Sequence, residues 1–194
     1  MPGLAYLLGS LSTAILTSRL LGLPDPRFAG SGNPGATNVL RVGGKKAAII
    51  TLLGDVLKGS LPVVGARWLG MGPVIVAAVA FAALLGHIYP IFFRFRGGKG
   101  VATAFGVLVA MNPLAGLGLL GVWLFVAVVF RYSSLAALTA AAAAPVLMAV
   151  TAHAHVWLYC LVTLGISVLL LWRHRSNIRN LLAGKETKIG AKAA

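Results

Sequence analysis

Apolar residues along the chain form seven runs separated by short polar segments. A helix needs about 20 residues to cross the hydrocarbon core of a bilayer, and every run except 101–111 reaches or approaches that length. The short run lies between a glycine-rich turn and Asn112-Pro113. We count it as a short fourth span; the alternative is a re-entrant segment, which would leave six spans. The runs cover residues 2–22, 46–66, 70–93, 101–111, 113–130, 134–151 and 153–172.

The composition agrees with a membrane protein. Hydrophobic residues make up 59% of the 194 residues and charged residues only 10%, whereas a soluble domain carries about 25% charged residues. The first run lacks a basic leading segment, so we expect it to be retained as a span rather than removed as a signal peptide. We therefore predict an all-α integral membrane protein, a bundle of seven transmembrane helices with the N-terminus outside and the C-terminus cytoplasmic.

The charges support this orientation. The net charge is +14, and seven spans would place nearly all basic residues on one side, which the positive-inside rule makes cytoplasmic. The prediction is a transmembrane domain over 1–172, cytoplasmic motif loops at 25–45 and 94–100, and a basic tail over 173–194 with a short interfacial helix. The cytoplasmic set is Arg19, Arg27, Arg41, Lys45, Lys46, Arg94, Arg96, Lys99, Arg131 and the tail residues, against Arg67 alone outside.

Two charged residues lie within a predicted span. Asp55 and Lys58 are three residues apart, so they share one face of a helix. Charges inside a membrane are costly and normally face the interior of the bundle. The pair is either a mutual ion pair or a support for a basic site nearby, and both interpretations stay open.

The loop at 29–41 is rich in glycine and hydrogen-bond donors. Its glycines have the spacing G-x-G-x-x-G, but a dinucleotide-binding fingerprint requires a preceding strand, and here a transmembrane helix precedes. What remains is a turn with exposed N–H groups, neutral donors and an arginine fork, which suits a phosphate. The candidate residues are Ser31, Gly32, Asn33, Thr37, Asn38 and Arg41.

A second glycine-rich loop, RFRGGKG at 94–100, opens the helix that begins at Val101. It lacks the residue order of a nucleotide-binding P-loop. It can still hold an anion, because a helix N-terminus presents free N–H groups and the positive end of the helix dipole. Its candidates are Gly97, Gly98, Lys99 and Gly100, while Arg94 and Arg96 are either contributors or membrane anchors. His87, near the cytoplasmic end of the preceding span, is either structural or a general base.

Further polar residues fall on the same predicted face. Arg131 and Ser134 flank the start of the sixth span, and the tail adds His174, Asn177 and Glu186. His153 and His155 fall on the opposite side. With one Cys, four His and three acidic residues, we expect no metal site and no cofactor. The two glycine-rich loops are predicted to meet and to hold a phosphate at the cytoplasmic interface, in a membrane enzyme or a carrier, with no nucleic-acid partner.

Several of these motifs resemble those of one known family. The chain is similar to the bacterial acyl-phosphate-dependent glycerol-3-phosphate acyltransferases, the PlsY family, over nearly its whole length. The matching segments are GSGNPGATNVLR at 30–41, DVLKG at 55–59, GHIYPIFFRFRGGKGVAT at 86–103, Arg131 with Ser134, and RHRSNIRNLLAGKE at 173–186.

The resemblance implies a reaction and a location. An acyl group would pass from acyl phosphate to the 1-hydroxyl of glycerol 3-phosphate, giving lysophosphatidic acid and inorganic phosphate, in the bacterial cytoplasmic membrane with the active site on the cytoplasmic face. It implies no direct use of acyl-CoA or acyl carrier protein and no protein partner. A transporter for a phosphorylated metabolite is the alternative from another class.

The resemblance also implies residue roles. It gives catalytic roles to Ser31 and Arg41, phosphate binding to the loop 97–100, and third-motif roles to Asn177 and Glu186. Lys99 and His87 complete the expected catalytic set. The hydroxyl proton would go either to the departing phosphate or to His87.

Overall fold

The computed structural model describes residues 1–190, and within that range the chain folds into α-helices joined by short loops, with one 3₁₀ turn at Ile91–Phe93. The α-helices are α1 (Pro2–Gly9), α2 (Thr13–Leu20), α3 (Ala36–Trp68), α4 (Pro73–Ile88), α5 (Val101–Met111), α6 (Pro113–Phe130), α7 (Ser133–Thr151), α8 (Val156–Arg173) and α9 (Arg175–Leu182).

Five of the helices in the described part are long and apolar enough to cross a membrane. They are α3, α4 extended through its 3₁₀ turn to Phe93, α6, α7 and α8. The predicted short run at 101–111 is α5, an apolar helix of 11 residues. Its length is about 16 Å, roughly half of the ~30 Å hydrocarbon core.

The first predicted span is not one continuous helix. The run 2–22 is divided into α1 and α2 by a break at residues 10–12. A break within apolar surroundings frees backbone groups that need new partners. Lys58 is one such partner, because its Nζ donates to the carbonyl oxygen of Leu11 at 2.9 Å. The Ser10 hydroxyl is another, since it donates to the Tyr6 carbonyl oxygen at 2.8 Å.

Asp55 and Lys58 form the predicted ion pair beside that break. Lys58 Nζ lies 2.8 Å from Asp55 Oδ1, and both side chains are buried. The same carboxylate oxygen accepts a hydrogen bond from the hydroxyl of Thr13, at the start of α2. It also lies 3.5 Å from Nδ1 of His87. The pair therefore fastens α2 to α3 and borders the candidate site, so both interpretations of the pair have a structural basis.

The predicted loop at 25–45 is shorter than expected, because α3 already begins at Ala36. A break within α3 explains the difference. Gly44 has φ 78° and ψ −176°, a left-handed backbone that glycine adopts without a steric penalty. The first turns of α3 therefore belong to the polar motif segment, and the apolar stretch follows the break.

Successive helices bring the motif segments to one end of the bundle, which we call the motif end. The starts of α3 and α7 meet there, where the hydroxyls of Thr37 and Ser133 are 3.1 Å apart. At the opposite end, Arg67 donates to the carbonyl oxygens of Ala110 and Met111 at 2.5 and 3.3 Å. These bonds provide partners for the terminal carbonyls of α5, which otherwise lack partners at a helix C-terminus.

The short helix α5 lies at the centre of the core, packed against α3, α4, α6 and α8. It crosses α3 closely, because Gly106 on α5 lies against the Val56 carbonyl and Gly59 on α3 lies against the Thr103 carbonyl. A side chain at either glycine would meet backbone atoms. Small residues provide this close packing between membrane helices, where the hydrophobic effect does not drive association.

We expect Asp55→Ala to destabilise the fold by about 3–5 kcal/mol, because Lys58 would remain buried without a charge partner. Reversible unfolding in mixed micelles measures this loss of stability.

Asp25→Ala is the matched control. Asp25 pairs with Arg27 at 2.7 Å, but its side chain is 26% exposed, so the loss of this pair should cost no more than about 1 kcal/mol. The double variant Asp55→Ala/Lys58→Met should recover at least half of the loss. Equal effects of Asp55→Ala and Asp25→Ala would contradict the assignment.

Candidate active site

A cavity of about 510 Å³ lies at the motif end. Its polar part is lined by residues of the two glycine-rich segments, α7 and the tail. Its apolar part extends between α3, α5, α6, α7 and α8. The polar wall contains Ser31, Asn33, Thr37, Asn38, Arg41, His87, Lys99, Ser133, Ser134, His174, Asn177 and Glu186; the apolar wall includes Val56, Ala104, Phe105, Leu108, Leu119, Trp123, Ala137, Ala141, Ala144 and Ile166.

The apolar part reaches the lipid-facing surface of the bundle. Leu52 and Leu53 on α3 and Leu120 and Leu124 on α6 line the cavity, and all four side chains are exposed. A hydrocarbon chain lying there would contact apolar side chains along its length. The cavity thus joins a polar compartment to an apolar groove that opens sideways.

Asn38 fixes the conformation of the first motif loop. Its side chain is buried, and its Nδ2 donates to the carbonyl oxygens of Pro26 and Ala29, both at 2.9 Å. Its Oδ1 accepts from the backbone N–H of Ser31 at 2.8 Å. Asn38 therefore uses its amide within the loop, and its contacts differ from the predicted role of a free phosphate donor. The consequence for the site is that Ser31 is held in place at the cavity wall.

The second motif loop follows a tight turn at the end of α4. The Pro90 carbonyl accepts from the N–H groups of Phe93 and Phe95 at 3.1 and 2.9 Å. Arg94 and Phe95 both have positive φ, 54° and 58°, a conformation that costs roughly 1–2 kcal/mol for a residue with a Cβ. This strained turn directs the chain from α4 into the glycine segment.

The two motif loops meet at Gly98. A Cβ on Gly98 would lie 2.9 Å from the Pro34 carbonyl oxygen of the first loop and would contact Nε2 of His87 on its other side. A Cβ on Gly97 would lie 2.6 Å from the Ile88 carbonyl oxygen. These glycines are needed because the backbone passes between α4 and the first loop with no space for a side chain.

The glycine segment presents unpaired amides. Within the described residues, the N–H groups of Gly97, Gly98, Lys99 and Gly100 have no hydrogen-bond partner in the protein. α5 begins directly afterwards, at Val101, and its first amides are free in the same way, as at any helix N-terminus. Free amides and the positive end of a helix dipole beside Lys99 form an arrangement that binds phosphate.

His87 lies between the ion pair and the glycine segment. Its Nδ1 is 3.0 Å from the Thr103 hydroxyl oxygen and 3.5 Å from Asp55 Oδ1. Its Nε2 faces Gly98, and the residue lines the cavity. Contacts of one ring nitrogen with a carboxylate fix the ring orientation and leave the other nitrogen toward the site.

A chain of polar contacts links the glycine segment to the tail. Lys99 Nζ donates to the side-chain oxygen of Asn177, and Asn177 Nδ2 donates to Glu186 Oε1 at 2.7 Å. The Ser134 hydroxyl donates to the same carboxylate oxygen, also at 2.7 Å. Burial lowers the pKa of Lys99 below the ordinary lysine value of 10.5, and the negative charge of Glu186 opposes part of this effect.

His174 lies beside Lys99 at the end of α8. Burial is the main cause that lowers the pKa of His174 to about 4, and the charge of Lys99 adds to the effect. The ring is therefore neutral at pH 7. Its Nδ1 lies 2.8 Å from the Leu170 carbonyl oxygen, so Nδ1 carries the proton and Nε2 is left as an acceptor.

Four predicted site residues lie outside the cavity wall. Gly32, Gly97 and Gly98 shape the loops without lining the cavity. Arg131 instead holds the tail: its carbonyl accepts from Ile189 N–H at 2.7 Å, and its Nη2 donates to the Ile189 carbonyl at 3.4 Å. The remaining predicted residues line one cavity. His155 precedes α8, a full helix length of about 27 Å from the site.

Sequence reasoning missed three features of the site. Ser133 lines the cavity next to the predicted Ser134, and Arg173 contacts the glycine segment. The alanine-rich face of α7 also forms part of the apolar wall, at Ala137, Ala141 and Ala144. The spacing of these alanines at three and four residues was the available signal, because it places them on one helix face.

The fold and the cavity define a membrane protein suited to an amphiphilic phosphate ester. Comparison with known proteins identifies its family. Residues 1–184 match the family model described as glycerol-3-phosphate acyltransferase, and the chain belongs to this family. It is therefore an acyltransferase, and the alternative of a metabolite transporter is not supported.

Curated relatives carry the same description. The glycerol-3-phosphate acyltransferase of Thioalkalivibrio sulfidiphilus is 59% identical over 188 residues, which cover 97% of this chain and 92% of the relative. That of Methylococcus capsulatus is 54% identical over 194 residues, covering 97% and 94%. The enzyme from Burkholderia ambifaria strain AMMD is 58% identical over 192 residues, covering 97% and 89%.

Two solved structures share the fold. The crystal structure of PlsY (YgiH), an integral membrane glycerol 3-phosphate acyltransferase, in its glycerol 3-phosphate form superposes with a TM-score of 0.90 at 40% identity, covering 97% of this chain and 94% of that one. The lysophosphatidic acid form gives a TM-score of 0.85 at 38% identity, covering 96% and 92%.

The lowered pKa of Lys99 predicts an alkaline limit for phosphate binding. The ammonium form attracts phosphate, and it is lost as pH rises through a pKa that burial has moved below the usual lysine range. Lys99→Arg keeps its charge up to about pH 12. We expect this variant to lose about tenfold in kcat/KM near pH 7.5 because the side-chain shape differs, but to show a flatter profile on the alkaline side, where the wild type declines.

The pH profile of kcat/KM for glycerol 3-phosphate measures this effect. Lys45→Arg is the control, since Lys45 is exposed outside the cavity wall and its replacement should leave the profile unchanged. An alkaline decline that is identical in the wild type and in Lys99→Arg would contradict the assignment to Lys99.

Proposed function

We propose that this enzyme transfers a fatty acyl group from an acyl phosphate to the 1-hydroxyl of glycerol 3-phosphate, giving lysophosphatidic acid and inorganic phosphate. The single observation that carries the proposal is the shape of the cavity, which joins a compartment of cations and free amides to an apolar groove. An acyl phosphate needs both parts, and glycerol 3-phosphate needs the first.

The chemistry of the donor fits the composition of the polar wall. An acyl phosphate is a mixed anhydride with a good leaving group, so no covalent enzyme intermediate is required. The wall offers Arg41, Lys99 and neutral donors, with Glu186 as its acidic residue away from the Asp55 ion pair. Such a wall stabilises negative charge that develops on the carbonyl oxygen and on the departing phosphate. Catalysis would then consist mainly of positioning and charge stabilisation.

The reaction balances without a cofactor. The glycerol hydroxyl oxygen forms a bond to the acyl carbon, and the bond from that carbon to the phosphate oxygen breaks. The hydroxyl proton leaves with the phosphate or is taken by His87. We assign catalytic contacts with the reacting groups to Ser31, Arg41 and Lys99. The phosphates and the glycerol are bound by the remaining polar residues of the wall: Asn33, Thr37, Ser134, His174 and Asn177.

The arrangement of helices supports a seven-segment topology. If α1 and α2 together count as one interrupted segment and α5 as a short one, the motif end receives alternate ends of seven segments. The basic residues then concentrate at the motif end, and Arg67 lies at the other. We propose on this basis that the N-terminus is outside, the C-terminus and the active site are cytoplasmic, and the protein lies in the bacterial cytoplasmic membrane.

Donor selectivity tests the proposed reaction. Purified protein is given glycerol 3-phosphate with palmitoyl phosphate, and separately with palmitoyl-CoA or palmitoyl-acyl carrier protein. We expect lysophosphatidic acid and an equal amount of inorganic phosphate with palmitoyl phosphate alone. Acylation from either thioester at a comparable rate, with none from palmitoyl phosphate, would overturn the assigned donor while leaving the family assignment intact.

The role of His87 is tested by His87→Gln. A general base contributes typically about 10²–10⁴-fold to a rate. Because the departing phosphate can itself accept the hydroxyl proton, we expect kcat to fall by less than about tenfold. Single-turnover rates at saturating substrate provide the measurement, with Tyr159→Phe, which is not part of the cavity wall, as the control. A loss of several powers of ten would assign the base to His87 instead.

A further inference from the structure

The tail contains an arginine that faces the glycine segment from outside the cavity. Nη2 of Arg173, the last residue of α8, donates to the carbonyl oxygens of Gly97 and Gly98, both at 3.2 Å. Arg173 is not part of the cavity wall, whereas its neighbour His174 is. Its guanidinium also lies 5.9 Å from the ring centroids of Tyr89 and Trp172, which restricts its position between the two rings.

Because the peptide bond is planar, the contacts of Arg173 with these two carbonyls also determine the direction of the N–H groups that follow them. In a planar trans peptide, the carbonyl of one residue and the N–H of the next point in opposite directions. Holding the Gly97 and Gly98 carbonyls toward Arg173 therefore turns the N–H groups of Gly98 and Lys99 away from Arg173. Those two amides are among the four that have no partner within residues 1–190.

We propose that Arg173 is a positioning residue for substrate phosphate: by holding the Gly98 carbonyl it keeps the N–H group of Lys99, a residue that lines the cavity, available to the anion. A flexible glycine segment would otherwise sample many backbone conformations, and ordering it during binding would cost affinity. Arg173 orders the segment in advance. This inference deepens the proposed function and rests on it, because it requires that the segment binds a phosphate.

Binding of inorganic phosphate provides a test that does not depend on the acyl donor. The thermal unfolding temperature of the full chain in detergent is followed as phosphate is added. For Arg173→Met, we expect the phosphate concentration that gives half of the maximal stabilisation to rise by about tenfold. Arg173→Lys, which keeps a charge and a donor, should rise by about threefold. Arg175→Gln is the control, since Arg175 is exposed and donates to the Trp172 carbonyl rather than to the glycine segment, and it should match the wild type.

Kinetics separate positioning from general damage. For Arg173→Met, we expect KM of the substrate whose phosphate occupies the segment to rise by about tenfold, while kcat changes by less than about threefold. The unfolding temperature without ligand should stay close to that of Arg175→Gln. Unchanged phosphate affinity in Arg173→Met, or an equal loss in Arg175→Gln, would overturn the proposal.

A double-variant cycle tests whether Arg173 acts through the loop. If it does, adding Arg173→Met to Gly98→Ala should weaken phosphate binding by less than about twofold beyond Gly98→Ala alone. Additive losses would mean a direct contact of Arg173 with the anion and would overturn the positioning role. Failure of the wild type to use palmitoyl phosphate, with phosphate binding and its dependence on Arg173 intact, would remove the proposed donor and not this inference.

Discussion

The buried carboxylate of Asp55 organises the interior of this protein. It is one of three acidic residues in the chain, and its Oδ1 contacts the Lys58 ammonium, the Thr13 hydroxyl and the His87 ring. An ionised group in an apolar interior is stable only when its partners are close and well oriented. Three elements, α2, α3 and α4, are therefore fixed relative to one another by a single oxygen atom. The break in the first apolar run and the orientation of His87 are two results of the same requirement.

Apolar runs were sufficient to predict α5 to α8 within a few residues, because each is bounded by a turn that the sequence displays, such as Asn112-Pro113. The break between α1 and α2 was not predictable in this way. Ser10 and Ser12 interrupt the run only mildly, and the partners that stabilise the break, Lys58 and Thr13, lie on other helices. The early start of α3 was missed for a related reason: its first turns are polar, and a search for apolar spans passes over them.

The candidate site was predictable from its polar residues and not from its apolar ones. Glycines, amides and cations are rare between membrane spans, so the two motif loops stood out. A helix in a membrane is apolar toward lipid, toward its neighbours and toward a cavity alike, so composition does not separate Ala141 in the groove from Val150 on the surface. Arginines present a similar difficulty. Arg131, Arg173 and Arg175 have the same chemistry, and only the fold assigns them to the tail, the glycine segment and the exposed surface.

Because the polar compartment and the lateral groove are one continuous space, the orientation of the product is set as it forms. Under the proposed reaction, a lysophospholipid made there has its phosphate at the motif end and its chain along the apolar wall that includes Leu53 and Leu124, and it can pass into the lipid without turning over. Synthesis by such an enzyme would enlarge only the leaflet on the side of the motif end. Even growth of the bilayer would then require a separate process that moves lipid to the other leaflet.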